Sequence, residues 1–346
     1  MKKSEKIRVG ISVGDINGIG IEIILKTFED NRMLDFCTPV IFASNKVISY
    51  HKKALKINTN IFGIDNLKKV AVNKVNLLNV WKENVDIELG KATEVSGKYA
   101  FESLQSATRA LKNNDIDVLV TAPINKHNIQ SDDFQFKGHT EYLEDNFEGE
   151  SLMILMTDEL KIGLITGHIP VSMVASTITP ELIKKKIEIM HKSLVTDFNI
   201  NKPRIAVLGL NPHCGDKGVI GSEDDEIVIP AIADLFEGGK LVFGPYAADS
   251  FFGSNSYKDF DGVLAMYHDQ GLAPFKTLAF GSGVNFTAGL DKIRTSPDHG
   301  TAYEIAGSGE ANHDSFKEAL FKAIDIFKTR STNKLLIQNS LKKIIK

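Results

Sequence analysis

Apolar residues recur along this chain in two alternating patterns, short continuous runs and longer segments with helical spacing. Residues 7–13, 39–43, 116–120, 162–165, 205–210 and 263–266 are short apolar runs bounded by turn formers, which predicts strands. Between them, Ala100, Leu104, Ala107 and Leu111 fall on one face of a helix that is clear from Gly97. Ile183, Ile187, Met190 and Leu194 do the same over 181–194, and a shorter apolar-periodic helix covers 21–28. Strands alternating with helices predict an α/β fold with largely parallel sheets. Residues 44–83, rich in Lys and Asn, keep no clear period, so short strands and surface loops are expected there. The Lys-rich tail after Phe327 reads as a solvated terminal helix.

Four of the predicted strands hand over to polar clusters. These are Thr121-Ala122-Pro123-Ile124-Asn125-Lys126, Thr166-Gly167-His168, Asn211-Pro212-His213-Cys214-Gly215 and Tyr267-His268-Asp269, the last at the start of an expected loop. Ligands of parallel sheets bind at the carboxyl ends of the strands. His168, His213 and His268 each follow a strand, and three imidazoles with open coordination positions suit catalytic zinc, or less closely another divalent ion. The same residues could equally cap or hydrogen-bond the strand ends, and sequence spacing leaves both readings open.

Lys137-Gly138-His139-Thr140-Glu141 forms a separate polar knot. A helix starting there could hold a phosphate through His139, Thr140 and backbone N–H groups, or Thr140 could simply be the N-cap. Lys276, Asn285 and Arg294 are candidates for clamping phosphate or carboxylate, or are solvated surface residues. Asp249 and Asp269 are acid/base or ligand-orienting candidates, with capping an equal role for Asp249. Nothing near Cys214 lowers a thiol pKa, so it reads as packing.

The first strand runs into Gly14-Asp15-Ile16-Asn17-Gly18-Ile19-Gly20, a glycine-rich turn before a helix. That arrangement invites a dinucleotide-binding reading, which fails because the third glycine position is Ile23. A tight turn needing flexible backbone is the simpler account.

At 346 residues the chain exceeds one typical core and points to two α/β domains. A formal net charge of -3 offers no overall basic surface, so nucleic acid is not an expected partner and anionic substrates must meet local Lys and Arg. No signal-peptide pattern follows the basic start, and no stretch is apolar enough to span a bilayer. Cys37 and Cys214 are the sole cysteines, which implies neither a disulfide framework nor a thiolate zinc site. A cytoplasmic protein with no membrane association is expected.

Taken together, these motifs resemble the 4-hydroxythreonine-4-phosphate dehydrogenase family of pyridoxal phosphate biosynthesis, nearly end to end. The likeness rests on Gly18-Ile19-Gly20, the 121–126 cluster, Gly138-His139-Thr140-Glu141, His168-Ile169-Pro170, Asn211-Pro212-His213, Tyr267-His268-Asp269-Gln270-Gly271 and Val284-Asn285-Phe286-Thr287. Arg294-Thr295-Ser296-Pro297-Asp298-His299-Gly300-Thr301-Ala302 completes it.

The resemblance implies two α/β/α domains like those of isocitrate and isopropylmalate dehydrogenases, with the active site in the interdomain cleft. The first domain would take residues 1–126 and 277–346, and the second 127–276 with the dimer interface. It implies a homodimer whose active site is shared, His168, His213 and His268 on one divalent metal (zinc first, magnesium or cobalt otherwise), and NAD or NADP. His139, Thr140, Lys276, Asn285 and Arg294 would contact a small phosphorylated hydroxy acid, with Lys276, Asp269 and Asp249 as proton-transfer candidates. Residues 298–312 are similar to the cofactor loop of that wider group, which places Asp298, His299, Gly300, Thr301 and Asn312 on the dinucleotide.

The implied reaction is oxidation and decarboxylation of 4-phosphohydroxy-L-threonine. Sister activities on 4-phosphoerythronate or threonate 4-phosphate, and a metal-dependent phosphoesterase, are the alternatives. Two departures bear on loop detail and substrate choice. The first turn reads Gly14-Asp15-Ile16-Asn17-Gly18 where Pro-Gly-Glu-Pro-Ala-Gly is expected, and Cys214-Gly215-Asp216 replaces Ala-Gly-Glu.

Overall fold

A computed structural model describes residues 6–279 and 281–338. Two compact units divide the chain. One takes the chain up to Ser151 together with Ala279–Ile324; the other takes Leu152–Leu278 and the residues from Asp325. The chain passes between these units after Ser151 and after Leu278; the family resemblance implies approximate domain crossings near Lys126 and Lys276.

The strands, in chain order, are β1 Arg8–Ser12, β2 Thr38–Ala43, β3 Ile61–Ile64, β4 Val75–Asn79, β5 Val118–Thr121 and β6 Gly149–Met156. They continue as β7 Lys161–Leu164, β8 Ile205–Leu208, β9 Val242–Tyr246, β10 Gly262–Ala265, β11 Val284–Leu290 and β12 Arg294–Pro297. The principal helices are α1 Gly20–Thr27, α2 Asn45–Leu55, α3 Glu94–Lys112, α4 His139–Asn146, α5 Pro180–Thr196, α6 Ile229–Glu237, α7 Ala248–Gly253, α8 His268–Leu278 and α9 Asp314–Gln338.

In the first unit the strand order is β3-β4-β2-β1-β5-β12-β11, parallel except for the antiparallel β11/β12 pair. Helix α3 begins in a capping box, Thr93 accepting from the Ser96 N–H and Ser96 returning a bond to the Thr93 backbone. Its buried face, Ala100, Leu104, Ala107 and Leu111, clusters with Val40, Phe42 and Leu119 of the sheet and with Ile116 just before β5. Each large side chain so buried contributes roughly 1.5–3 kcal/mol.

In the second unit the order is β6-β7-β10-β8-β9, parallel except for β6/β7. The stripe of α5 is buried as its spacing predicts, at Ile183, Ile187, Met190 and Leu194.

Two elements differ from the sequence reading. Residues 45–55 form a helix rather than loops, capped by the Ser44 hydroxyl on the Lys46 N–H and closed by Lys56 at φ 55. It buries just Val47, Ile48 and His51, too few apolar positions for the pattern to register. The residues from His268 are helical despite Gly271 and Pro274. Gly271 is there for proximity, because a Cβ would stand 2.9 Å from both Ile162 and Leu164 and 3.0 Å from Ala265. The glycine that reads as a loop signal lets α8 lie directly on β7 and β10.

His51 is 1% exposed and its Nε2 lies 2.9 Å from the Ile16 carbonyl oxygen. Burial pulls its pKa from 6.5 down to about 4 despite that bond. As pH falls from 6.5 towards 4 the unfolded chain takes up the proton first, so this contribution is complete above pH 6.5. It is lost as pH drops through the folded pKa, by up to about 3 kcal/mol. Urea midpoints between pH 7 and 4.5 are expected to fall more steeply in the native chain than in a His51→Gln variant. Identical slopes would remove His51 as the source.

Candidate active site

Strand β10 lies between β7 and β8 and is parallel to both. The carboxyl ends of these three strands therefore adjoin, and His168, His213 and His268 follow them. Cross-links hold the three loops together. The Thr166 N–H and hydroxyl both donate to the Met266 carbonyl oxygen, at 3.1 and 2.6 Å. The Gln270 amide donates to the Gly209 carbonyl at 2.6 Å and its Oε1 accepts from the Met266 N–H at 2.7 Å. Buried Asp224 accepts from the N–H groups of Leu210 and Asn211, at 2.7 and 2.9 Å.

His168 and His268 stand side by side, ring centroids 5.5 Å apart. Asp269 Oδ1 lies 2.7 Å from His268 Nδ1, which favours the proton on Nδ1 and leaves Nε2 as a lone-pair donor. His213 is exposed and sits at φ 53 in a short 3₁₀ segment, Pro212–Gly215, followed by further left-handed residues at Asp216 and Lys217. It lines a cavity of about 340 Å³ with Asp249, Tyr267 and Gln270 among others.

Among the described residues no three His, Cys, Asp or Glu side chains assemble into a set that could hold a metal. The chain brings His168 and His268 together and offers His213 from the neighbouring strand end without closing the triad. In chemistry these donors suit a divalent cation, being imidazoles on adjoining strand ends with one already oriented by a carboxylate. Cys214 stays a packing residue, its thiol pKa pushed up by burial and by Asp224 and Asp249.

A second cluster lies wholly in the first unit. Helix α4 starts at His139 behind Gly138, with no side chain capping its first turn. Thr140 is the second helical residue, so it is not the N-cap, and a helix start of this kind suits an anion. Arg294 on β12 is 3% exposed. Its Nε and Nη2 donate to Thr121 Oγ1 at 3.0 and 2.6 Å, and its Nη1 to Thr287 Oγ1 at 3.3 Å. Burial lowers its pKa to about 9, with Glu141 opposing, so it remains a cation at neutral pH. Lys126 is lowered by burial and again supported by Glu141.

Burial, then Arg294 and Lys126, hold His139 well below the ordinary imidazole range, so its ring is neutral. His139 Nε2 and Asn285 Oδ1 are both buried with no hydrogen-bond partner. Asn285 pairs with Ser296 across β11/β12 and shares a sheet face with Thr287, two residues on. Two cations, an uncapped helix start and two orphaned polar atoms give this cluster the chemistry to receive an anion with hydroxyl or amino substituents. Lys276, in the last turn of α8, Asp269, in its first turn, and Asp249, in α7, are all exposed and belong to the other unit.

The segment from Asp298 to Asn312 docks on the first glycine turn. The Ile19 N–H donates to the Thr301 carbonyl oxygen at 3.0 Å. Lys26 donates to the carbonyls of Gly309 and Ala311, both at 2.8 Å, and Glu22 accepts from the Ala311 N–H at 2.9 Å. Gly14 has φ +66, and a Cβ there would stand 2.1 Å from the Pro123 oxygen. A Cβ on Gly18 would meet the Thr301 oxygen at 2.8 Å. The glycines thus serve close backbone approach. Within the segment, Asp298 bonds Ser315, Asn312 Oδ1 accepts from the Asp314 N–H, and His299 Nε2 is buried without a partner while Gly300 is exposed.

Sequence pattern includes Thr121, Thr166, Gln270 and Thr287 in its motifs without giving them a role, and it passes over Asp224. Thr166 and Gln270 each lie two residues from a strand-end histidine, a position whose importance shows only once the strands are known to adjoin.

Residues 35–323 match the family model described as pyridoxal phosphate biosynthetic protein PdxA. The chain is 51% identical over 343 residues, 99% of its length and 94% of the relative's, to a 4-hydroxythreonine-4-phosphate dehydrogenase of Bacteroides thetaiotaomicron. A putative D-threonate 4-phosphate dehydrogenase of Oceanobacillus iheyensis is 36% identical, with 94% of this chain and 100% of that protein covered. Among solved structures, 4-hydroxythreonine-4-phosphate dehydrogenase from Klebsiella pneumoniae aligns with a TM-score of 0.79 at 32% identity, covering 94% of this chain and 98% of that one. With its mixed α/β units and mostly parallel strands, this chain belongs to the PdxA family of pyridoxal phosphate biosynthetic proteins.

Proposed function

We propose that this chain is a nicotinamide-dependent dehydrogenase that oxidises and decarboxylates 4-phosphohydroxy-L-threonine to 3-amino-2-oxopropyl phosphate and CO2. The observation that carries it is the 51% identity, over nearly the whole chain, to a relative of that name. The cluster around Arg294 supports the same reading. Arg294, Lys126 and the open turn of α4 supply the charge and donors that a phosphate or carboxylate requires.

His168, His213 and His268 would hold a divalent cation, which as a Lewis acid would lower the pKa of the substrate hydroxyl and stabilise the developing enolate charge. Asp269 fixes the His268 tautomer. Neutral His139 and Asn285 would hydrogen-bond the polar substituents of the bound substrate. A bound nicotinamide would supply the acceptor for a hydride from the carbinol carbon, and Lys276, Asp249 and Asp269 are candidates for the base that takes the hydroxyl proton. The β-keto acid then loses CO2, and the carbon that keeps the electron pair takes up a proton. Asp298, His299, Gly300, Thr301 and Asn312 would receive the dinucleotide.

A second copy of the chain would complete the site. Val171 and Met173 follow His168, Val219 and Ile220 follow His213, and all four stand exposed. The threonate 4-phosphate reaction is the second reading, favoured by the Oceanobacillus relative, and it differs only in a hydroxyl for the amino group at C2.

Absorbance of reduced nicotinamide with 4-phosphohydroxy-L-threonine, NAD+ or NADP+ and Zn2+ or Mg2+ tests the proposal. A metal-dependent rise with CO2 release, from protein sedimenting as a dimer, is the expected result. Turnover of the hydroxy acid alone would move the assignment to the sister reaction. Phosphate release without cofactor would overturn both.

A further inference from the structure

We propose that Asp15 and Tyr303 are a positioning pair that sets the dinucleotide segment, residues 298–312, against the Thr121–Lys126 cluster. This inference rests on the reading of that segment as the cofactor site. Asp15 is fully buried, and its Oδ1 accepts from the Asn17 N–H at 2.9 Å. Its Oδ2 accepts from Ser96 Oγ at 2.9 Å, Asn128 Nδ2 at 2.7 Å and Tyr303 Oη at 2.8 Å. Of these four donors only Tyr303 comes from the C-terminal segment. The Asp15 N–H in turn donates to the Pro123 carbonyl oxygen at 2.9 Å, which joins the pair to the 121–126 cluster.

The placement of Tyr303 within the segment gives the bond its purpose. Ala302, just before it, sits at φ 44, a conformation that non-glycine residues adopt at a cost and that persists only when its surroundings over-determine it. The anchors lie immediately on either side: the Thr301 carbonyl held by Ile19, and the Tyr303 hydroxyl held by Asp15. A phenol bonded at 2.8 Å to a buried carboxyl group that three further donors hold in place is a firm anchor for that backbone. Without it, the turn containing His299, Gly300 and Thr301 loses its downstream anchor, and ordering it falls to the incoming ligand.

The test measures NADH binding directly, by fluorescence titration, alongside steady-state kinetics. Tyr303→Phe deletes one oxygen and keeps the ring. It is expected to weaken NADH about five- to tenfold, a loss of about 1–1.4 kcal/mol. The KM for the nicotinamide substrate should rise in parallel, while kcat and the KM for the phosphorylated substrate shift less than about twofold. Unchanged NADH affinity, or equal losses for both substrates with a lowered Tm, would overturn the proposal. A His299→Ala control separates the two levels. If it abolishes NADH binding and Tyr303→Phe does nothing, only the positioning role fails; if neither matters, the cofactor assignment falls with it.

Discussion

Replacing His213 by asparagine is expected to cut kcat about a thousandfold, since a cation that loses one of three imidazoles forfeits about 4 kcal/mol of transition-state stabilisation. Asparagine is the informative choice because His213 sits at φ 53. Alanine in that backbone would add strain of roughly 1 kcal/mol, whereas asparagine tolerates it. His213 is exposed, so the fold has little to lose, and thermal unfolding should stay within about 2 °C of the native protein. A variant with full turnover at saturating metal would remove His213 from the ligand set. Reduced metal content in the same preparation would tie the lost rate to coordination.

The second large effect concerns Arg294. Arg294→Met should raise the KM for the phosphorylated substrate about a hundredfold, the upper range for losing a charge-assisted fork to an anion. Methionine fills similar volume but strips Thr121, Thr287 and Glu141 of this partner, so a lower Tm is expected and KM is read at a temperature where the variant is folded. Arg294→Lys restores the charge without the planar fork that now spans Thr121 and Thr287, and should recover only part of the loss. Equal KM values for the native, Met and Lys forms would show that the anion binds elsewhere.

The alternation of strands and helices was legible because buried strands and amphipathic stripes write their period into the chain, as at 205–208 and along α5. The three strand-end histidines were legible for the same reason. Their adjacency was not, because it depends on β10 inserting between β7 and β8, an order that no local pattern carries. Helix α2 stayed hidden behind its lysines, and α8 behind Gly271 and Pro274, whose usual meaning was reversed by close packing on β7 and β10. Thr121 and Thr287 were invisible as a pair, since their common partner is 173 residues from one and 7 from the other.

The first glycine turn carries a consequence for the way the chain is made. Its partners include Thr301, Tyr303, Gly309 and Ala311, and strand β5 must wait for β12, which pairs with it through Leu119 and Arg294. A ribosome adding roughly 5–20 residues per second therefore exposes β1 and its turn for many seconds before their last neighbours exist. Strands β7, β8, β9 and β10, by contrast, lie in the continuous stretch Leu152–Leu278 and can pair as they emerge. The sheet of the N-terminal unit, first to be started, gains its last strands, β11 and β12, only after β7–β10 have been made.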